Sequence, residues 1–540
     1  MSPRSKGRPA PQALARALRD LRATAGRGRL AVILDAPDPG TLVRTLPAEE
    51  LYFTIREIGM GDAAELVRLA SPGQFRTFLD LDAWRGSEVD ARRILPWLRA
   101  ARAAASTSDR EAARWRRKLR ELDPEILSLV LVATLRIHDL EEDPDPEIQG
   151  DRFMRTPEGK YVIEFSVDGV EYLAARGIVD DLYAEDPFIA TRALAAIRSE
   201  LPSELEESAL RWRRGRLADL GFPDLEEALS WFSRPAPGPP VRVGVAARPP
   251  GFFLAAFERG SLLDRAAARL PVPRRQAFEQ QLMTAANAVL VADAVDPTDL
   301  PAVRGAVERA RATLEMGLDA LSGGDEARGA EVLAESPLKR VFQTGFGRVL
   351  ELGWRARRLL APGGAGGKEA PRLDPPLGEA LAALLLRRPL YFPGLEAPRE
   401  DWGTPAAAAF DPRAFLSSAE VDRTAAALDL AAGLVALAGR LDLASSISAG
   451  PTAPRLSSLY LTALANERLG RPFRPDPIAA DEIPAAARAL QRLDDPRLAA
   501  EGEAGETLAA MARAHASELQ PLREGDEFRP ELATALLVRS

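Results

Sequence analysis

Apolar residues recur every three or four positions between residues 47 and 84, in short runs separated by helix start and stop signals. The run LPAEELYFTIREIG begins with Pro47, which suits the first turn of a helix, and ends with Gly59, a common C-terminal stop. Leu51, Ile55 and Ile58 fall on one face of that helix. Because helices this short are marginal alone in water, the pattern predicts a stack of short helices that pack on one another.

The next run, SPGQFRTFLDLDAW, contains a capping box. The Ser71 hydroxyl can cap the helix, Pro72 suits its first position, and Gln74 completes the S-x-x-Q pattern. The apolar face that follows is predicted to point inward and consists of Phe75, Phe78 and Leu79.

Acidic residues punctuate the same stretch. Asp62 and Glu65 have the spacing of a further helix start. Asp80 and Asp82 fall near the predicted turn toward Trp84. We interpret these two aspartates as solvated caps at the end of the helix.

One interval has the two-residue period of a strand. In DRFMRTPEGKYVIEFSV, Tyr161, Ile163 and Phe165 alternate with other residues after a turn at 157–159, which predicts a β-hairpin at 152–166. The remaining periodic segments predict helices. The predicted fold class is therefore all-α: a stacked short-helix superhelical array with one small β-hairpin, followed by helical bundle domains.

Proline and glycine mark the predicted domain boundaries. The segment SRPAPGPPVRVGVAARPPG at 233–251 blocks regular structure, and APGGAGGKEAPRLDPP at 361–376 has the composition of a flexible link. The predicted organisation is a basic, flexible N-terminus at 1–29, the array at 30–232, the linker 233–251, a helical domain at 252–360, the linker 361–376 and a C-terminal helical domain at 377–540.

Composition narrows the class of protein. The chain has 540 residues, 46% of them hydrophobic, so it can form sizeable cores. Its net charge of −8 gives no overall attraction to nucleic acid. It contains no cysteine, which excludes disulfides and thiolate chemistry. No uncharged apolar run reaches the ~18 residues of a membrane span, and the N-terminus lacks a signal-peptide core, so we expect a cytoplasmic protein.

Several segments resemble known families. LYFTIREIG, FLDLDAW, LPSELEESALRWRRGRLADLGFPDLEEAL, ANAVLVADAVDPTD and LTALANERLGRPFRPDP resemble a bacterial domain-of-unknown-function family over most of the chain. Residues 30–90 are similar in rhythm to the cytosolic N-terminal helical domain of MgtE-type magnesium transporters, with its L-x-x-L-P-x-E helices. The second resemblance implies a superhelical interaction module, and it offers an alternative role for Asp80 as a divalent-cation ligand.

Two segments resemble motifs that bind phosphate or metal ions, but neither has the residues that the motif requires at the required spacing. PGGAGGKE at 362–369 lacks the glycine six residues before Lys368 and the Ser or Thr after it, so we interpret it as linker. DLEEDPDPEIQGD at 139–151 fits no EF-hand register, which favours a solvated acidic loop. We therefore predict no cofactor and no metal site.

The helix DREAARWRRKLR at 109–120 is the candidate binding surface, for an acidic partner or another anion. Four of its five arginines share a face, and the tryptophan beside them could stack on a base. The favoured interpretation is nevertheless a solvated charged face, with an acidic protein partner and nucleic acid as the alternatives. A second basic segment, RWRRGR at 211–216, is expected to bury Trp212 and leave its arginines in solvent. The candidate residues of the first helix are Arg110, Arg114, Trp115, Arg117 and Arg120.

Catalytic groups are sparse in this sequence. The two histidines are His138, predicted to be a structural imidazole at a helix end, and His515, predicted to be exposed on a helix. No G-x-S-x-G motif is present. Asp180 and Asp181 are adjacent, so on a helix they do not face each other. The sequence does not exclude an enzyme, but it favours a protein without catalytic activity.

The leading hypothesis is a cytoplasmic helical scaffold or adaptor that binds a protein partner. The alternative is an enzyme or metal-responsive regulator whose site is assembled from sequence-distant residues. The third hypothesis, the least favoured, is a nucleic-acid-associated protein that uses residues 109–120. The sequence does not define the oligomeric state.

Overall fold

The computed structural model confirms a predominantly helical fold, because 66% of it is helical and its sheets have only two or three strands. It describes residues 16–17, 20–21, 24, 27–199 (the backbone only at 189), 201–235, 260–360, 371–444, 447–448, 450, 452–521 and 534–539. The chain divides into two compact units, unit 1 (1–231 and 241–310) and unit 2 (232–240 and 311–540).

Short helices dominate the first half of unit 1, as the apolar pattern predicts. They are followed by a small sheet and by longer helices. In chain order the described elements are α1 (Arg27–Leu34), α2 (Pro39–Thr45), α3 (Ala48–Ile58), α4 (Ala64–Leu69), α5 (Pro72–Asp82), β1 (Trp84–Arg85), β2 (Glu88–Val89), α6 (Ala91–Arg102), α7 (Asp109–Arg120), α8 (Pro124–Thr134), β3 (Leu135–Asp139), β4 (Phe153–Arg155), β5 (Tyr161–Phe165), α9 (Gly169–Glu185), α10 (Pro187–Ser199), α11 (Pro202–Asp219), α12 (Leu225–Ser230), α13 (Leu262–Ala268) and α14 (Val272–Ala292).

The next helix, α15 (Leu300–Ser322), contains the division between the two units. Unit 2 then continues with helices and short 3₁₀ turns. Its elements are α16 (Glu326–Glu335), α17 (Leu338–Leu359), α18 (Leu377–Leu384), 3₁₀ turns at Pro393–Glu396 and Arg399–Asp401, α19 (Pro405–Ala408), α20 (Ser418–Arg440), α21 (Leu456–Arg468), β6 (Ile478–Ala479), a 3₁₀ turn at Ala480–Glu482, α22 (Ile483–Ala489), α23 (Pro496–Ala499), α24 (Gly502–Ala516), a 3₁₀ turn at Ser517–Leu519 and β7 (Val538–Arg539).

The start of α5 follows the sequence prediction. The Gln74 amide N–H donates to Ser71 Oγ at 3.2 Å, and the Ser71 amide N–H donates to Gln74 Oε1 at 2.8 Å, so both bonds of the capping box are present. Gly59 ends α3 with φ of 99°, which glycine adopts without steric cost. The start predicted at Asp62 is wrong, because α4 begins at Ala64 and Asp62 instead pairs with Arg27 at 2.9 Å.

An aromatic core joins α3, α5 and α6. Tyr52, Phe78 and Trp97 are each no more than 1% exposed, and their ring centroids lie 5.1–6.4 Å apart. Phe75 and Leu79 are also buried, which confirms the predicted inward face of α5. This core fixes the C-terminal turn of α5, where Asp80 and Asp82 lie.

The predicted hairpin is present, within a larger sheet. β4 and β5 are antiparallel, with Phe153 opposite Glu164, and the predicted turn precedes β5. β3 pairs with the other edge of β5, from Leu135 opposite Phe165 to Asp139 opposite Tyr161. The sequence places LRIHD at a helix end, whereas the structure places it in this third strand.

Two helices of unit 2 touch through glycines. A Cβ at Gly317 on α15 would lie 1.9 Å from the Val341 carbonyl oxygen, and one at Gly345 on α17 would lie 2.1 Å from the Thr313 carbonyl oxygen. Only glycine permits so close a backbone approach.

The predicted linkers lie mostly outside the described residues, as do the P-loop-like residues 362–369 and most of 1–29. Two parts of these segments are described by the structure, and both differ from the predictions. Residues 27–29 begin α1, and Arg29 is 2% exposed. Residues 371–376 are largely buried, with Asp374 at 1% exposure, so they belong to the interior of unit 2. The division into domains otherwise stays a prediction.

Candidate functional site

Asp80 and Asp82 are buried, with 2% and 4% exposure, so their interpretation as solvated caps is wrong. They occupy the last turn of α5, two residues apart, and therefore point in different directions around the helix. Buried carboxylates are rare unless they are paired, so each of them needs a partner.

Asp80 is paired with Arg216 of α11. The guanidinium donates to it from Nε at 2.7 Å and from Nη2 at 2.8 Å, a bidentate geometry. Arg216 also donates to Asp123, at the start of α8, at 2.6 and 3.1 Å. Arg213 Nε donates to the Asp80 carbonyl oxygen at 2.7 Å, and its guanidinium lies 5.0 Å from the centre of the Trp84 ring. Residues of α5, β1, α11 and the start of α8 therefore meet around Asp80.

Burial opposes charge throughout this cluster. Burial raises the pKa of Asp80, and Arg216 acts against that shift. Burial likewise lowers the pKa of Arg213 to about 10. For Arg216, burial is outweighed by Asp80 and Asp123, and its pKa is raised. We infer that Asp80 stays ionised, because bidentate donation from a permanently charged guanidinium stabilises the carboxylate.

Asp82 lies against the aromatic core. It accepts hydrogen bonds from the Tyr52 hydroxyl at 3.1 Å and from the Trp97 indole N–H, and Arg56 Nη1 lies 3.7 Å away. Burial and the Asp82 carboxylate raise the pKa of Tyr52 well above its ordinary value. The oxygens of Asp80 and Asp82 thus already accept hydrogen bonds from side chains, which disfavours the role of cation ligand.

Another ion pair of unit 1 joins Arg93 on α6 to Asp296. The two guanidinium nitrogens lie 3.2 and 2.8 Å from the two carboxylate oxygens. Burial raises the pKa of Asp296, but hydrogen bonds from Arg93 and Thr298 outweigh it and hold the pKa at about 2.

The segment RWRRGR has the reverse of the expected arrangement. Trp212 is 58% exposed, whereas Arg213 and Arg216 are tied to Asp80. Arg211 and Arg214 are exposed, and their side chains make no hydrogen bond or ion pair with the described residues. The prediction failed because the helical period of α11 directs two of its four arginines, rather than its tryptophan, toward α5.

The candidate surface on α7 is partly occupied. Trp115 is 1% exposed and its indole N–H donates to Asp181 at 2.7 Å, so the expected stacking role is wrong. Arg114 pairs with Glu111 at 2.7 Å, and Arg120 pairs with Glu185 at 3.1 Å. Among the arginines of α7, Arg110 and Arg117 are exposed and have no ion pair with any described residue.

Lys118 of the same helix is buried, with 3% exposure. Its Nζ donates to the Arg68 carbonyl oxygen at 2.9 Å. Burial, with Arg114 nearby, lowers its pKa to about 8.

In unit 2, a Ser, a His and an Asp from distant positions lie together. Ser457 Oγ is 2.7 Å from His515 Nδ1 and also donates to Asp374, and all three residues are at most 2% exposed. The prediction that His515 is exposed is therefore wrong. In a hydrolase triad the imidazole lies between serine and carboxylate, whereas here the serine is in the middle. Ser457 is 0% exposed and so cannot meet a substrate in this conformation.

His138 is a partnered imidazole, as expected, although on β3 and not at a helix end. Its Nε2 lies 3.2 Å from Glu164 on the neighbouring strand. Of the acidic segment predicted as a solvated loop, residues 141–147 are mostly exposed, as expected. Its first residue, Asp139, is instead buried at the end of β3 and pairs with Arg198 at 2.7 Å.

Metal-binding clusters and membrane-spanning helices are both absent from the described residues. Within them, His, Cys, Asp and Glu form no group of three or more that could hold a metal ion. None of the helices in the described ranges is long and apolar enough to cross a bilayer.

These features define a predominantly α-helical protein with buried ion-pair networks. The chain belongs to a family of unknown function (DUF6178), whose model matches residues 7–539, which confirms the predicted family resemblance. No curated protein and no solved structure matches the chain. The similarity of residues 30–90 to MgtE-type transporters is not shown by these comparisons.

Proposed function

We propose that the protein is a helical scaffold or adaptor, and that the exposed face of α11 around Trp212 binds an acidic surface of a protein partner. The observation that supports this is the exposure of Trp212 between two exposed arginines without ion pairs, Arg211 and Arg214. Tryptophan and arginine are the residues most enriched among those that dominate binding energy at protein interfaces.

The exposed face of α11 belongs to a firmly held helix. Leu205 and Ala209 are buried, and Arg213 and Arg216 are bonded to Asp80. A side chain presented on a fixed helix loses less conformational entropy on binding than one on a mobile loop. We therefore propose that the buried network around Asp80 holds the binding surface of α11 in place.

The charge pattern favours protein over nucleic acid. Arg211 and Arg214 suit an acidic partner surface. The chain as a whole has a net charge of −8, and Trp115 is buried, so residues 109–120 offer no stacking platform. We expect no binding to DNA or RNA at physiological salt. We also propose a cytoplasmic location, which the absence of cysteine supports.

The alternative, an enzyme or metal-responsive regulator, stays a hypothesis. Asp374, Ser457 and His515 come together from distant positions, as that hypothesis requires. Their burial and their order favour a structural role over catalysis.

The experiment is a comparison of tagged variants expressed in the native cells and purified after cross-linking, with quantitative mass spectrometry of the captured proteins. Trp212→Ala and Arg211→Glu/Arg214→Glu test the proposed surface. Arg99→Glu/Arg192→Glu is the matched control, because both of these arginines are exposed on other helices of unit 1 without ion pairs among the described residues. Arg110→Glu/Arg117→Glu tests the candidate surface of α7.

The proposal expects at least one acidic partner to be lost roughly tenfold or more in both α11 variants and retained in the control, since truncating a central interface tryptophan commonly costs 2 kcal/mol or more. An identical set of partners in all variants would refute the α11 surface. Loss only in the α7 variant would transfer the binding function to that helix.

A further inference from the structure

Five polar groups of unit 2 form a continuous line of contacts. The Ser457 hydroxyl contacts Asp374 Oδ1 and lies 2.7 Å from His515 Nδ1. On the other side of the ring, His515 Nε2 lies 2.9 Å from Thr534 Oγ1. Thr534 Oγ1 in turn lies 2.9 and 2.8 Å from the two carboxylate oxygens of Glu518. The line runs from a fully buried carboxylate to a partly exposed one.

The outer end of the line holds residues 534–539 in place. Ser458 Oγ donates to the Thr534 carbonyl oxygen at 2.8 Å, and the Leu537 amide N–H donates to Thr462 Oγ1 at 2.9 Å. The Leu537 carbonyl oxygen accepts from the Ile478 amide at 2.8 Å, next to the parallel pair β6–β7. His515 is thus part of the attachment of β7 to unit 2.

The four contacts of the line need one hydrogen each. The two hydroxyls supply one hydrogen apiece and a neutral imidazole supplies one, while ionised carboxylates supply none. With a neutral His515, one contact would bring two acceptors together without a hydrogen between them. With an imidazolium, Nδ1–H donates to Ser457, Nε2–H donates to Thr534, and each hydroxyl donates to its carboxylate. Only the protonated ring satisfies every contact while both carboxylates remain ionised.

We propose that His515 is a proton-binding site, that the folded protein holds its ring as an imidazolium, and that this proton fastens residues 534–539 to unit 2. The exposed position of Thr534 places the outer end of the line next to water, from which the proton can exchange.

The charges around the ring act in both directions. Burial, the strongest influence, lowers the pKa of His515, and Arg455 and Arg372 act with it, whereas Asp374 and Glu518 raise the pKa. With both carboxylates ionised, the count of hydrogens favours the charged ring against the effect of burial, and charge-assisted hydrogen bonds are about twice as strong as neutral ones. The proposal therefore expects the pKa of His515 in the folded protein to lie above the ordinary ~6.5, against the effect of burial. The attachment would then be fully present below pH ~6.5 and would be lost as the pH rises through the folded-state value.

The protonation state can be measured directly because the chain has only two histidines. In a His138→Gln variant, all imidazole signals in a ¹⁵N NMR spectrum come from His515. The proposal expects both ring nitrogens to be protonated at pH 6 and the deprotonation midpoint to lie above ~6.5. A midpoint at or below that value would overturn it.

Hydrogen exchange then tests whether the proton on His515 fastens residues 534–539 to unit 2. After correction for intrinsic rates, we expect wild-type protection of residues 534–539 to fall about tenfold between pH 6 and the end of the titration, the loss of one charge-assisted bond. His515→Gln should abolish this pH dependence. Glu518→Gln, at a position with 36% side-chain exposure, should shift it to lower pH and serves if the first variant does not fold.

Glu503→Gln is the control, because this exposed residue of α24 pairs with Arg399, away from the line. Its exchange profile should match the wild type. Protection of residues 534–539 that is independent of pH in the wild type, or a Glu518→Gln profile that is unchanged, would overturn the proposed role of the proton.

Discussion

The substitution Asp80→Asn is the most direct test of the buried network in unit 1. Asparagine keeps the shape of the side chain but removes its charge, and its amide nitrogen is a donor facing the donors of Arg216. One oxygen can still accept from either Nε or Nη2, which now lie 2.7 and 2.8 Å from the carboxylate oxygens. The other guanidinium nitrogen loses its bond to Asp80, which is 2% exposed, and if that nitrogen is Nε it keeps no other side-chain acceptor among the described residues.

The expected loss in the free energy of unfolding depends on the hydrogen bonds that Arg216 keeps in the variant. Removing one partner of a buried ion pair costs about 3–5 kcal/mol, because it leaves a buried charge uncompensated. Here Asp123 still accepts from Arg216 at 2.6 and 3.1 Å, which retains part of the compensation. We therefore expect the free energy of unfolding of unit 1 to fall by about 3 kcal/mol. Since Asp80 is occupied by Arg216, added Mg²⁺ should not stabilise the wild type or change the difference.

Urea unfolding followed by circular dichroism measures the total effect, and hydrogen exchange of peptides from α5 and α11 assigns it to unit 1. Asp62→Asn is the matched control, because Asp62 is exposed and its only ion pair among the described residues, with Arg27, is at the surface. It should change stability by less than about 0.5 kcal/mol. Asp80→Asn within that same margin would refute the buried pair. A Mg²⁺-dependent shift lost in Asp80→Asn would restore the cation-ligand role.

Three further predictions concern unit 1. Phe78→Ala should lower the unfolding free energy by about 3–5 kcal/mol through lost burial and a cavity, and Ser71→Ala by only about 1 kcal/mol; equal urea midpoints for the two variants would contradict this. The pKa of Asp296 is about 2 when folded and ~3.9 when unfolded, so its pair with Arg93 should add stability above pH ~4 that is lost toward pH 2. Because Asp296 is partly exposed, we expect about 1 kcal/mol, absent in an Arg93→Met acid titration. The pKa of Lys118 is about 8 when folded and ~10.4 when unfolded, so this group should make the protein more stable as the pH rises from 8 to 10. That rise should be missing from the melting curves of Lys118→Met.

The capping box and the hairpin could be predicted from the sequence, because their physical causes lie within a few residues. The capping box needs only Ser71 and Gln74, and the hairpin needs only its turn and the alternation of β5. β3 was missed because its pairing with β5 is decided across the intervening loop. LRIHD follows directly on helix α8, so its own pattern does not mark the change to a strand.

The burial of these charged residues could not be predicted from the sequence, for a different reason. The spacing of Asp80 is visible in the sequence, but its partner Arg216 lies 136 residues further along. His515 has a helical setting with no sign of burial, because Ser457 and Thr534 come from separate segments. A surface arginine and a buried one have the same local sequence environment. Only the packing of α11 on α5 and α8 determines which arginines of RWRRGR are buried.

Because 136 residues separate Asp80 from Arg216 in the sequence, the ribosome adds the two residues at different times. At about 5–20 residues per second, a ribosome adds Arg216 roughly 7–30 s after Asp80. In that interval α5 can already form its capping box and pack against Trp97, but the Asp80 carboxylate has no guanidinium and must remain hydrated. A nascent chain that stops before residue 216 therefore lacks the guanidinium that pairs with Asp80 in the folded protein.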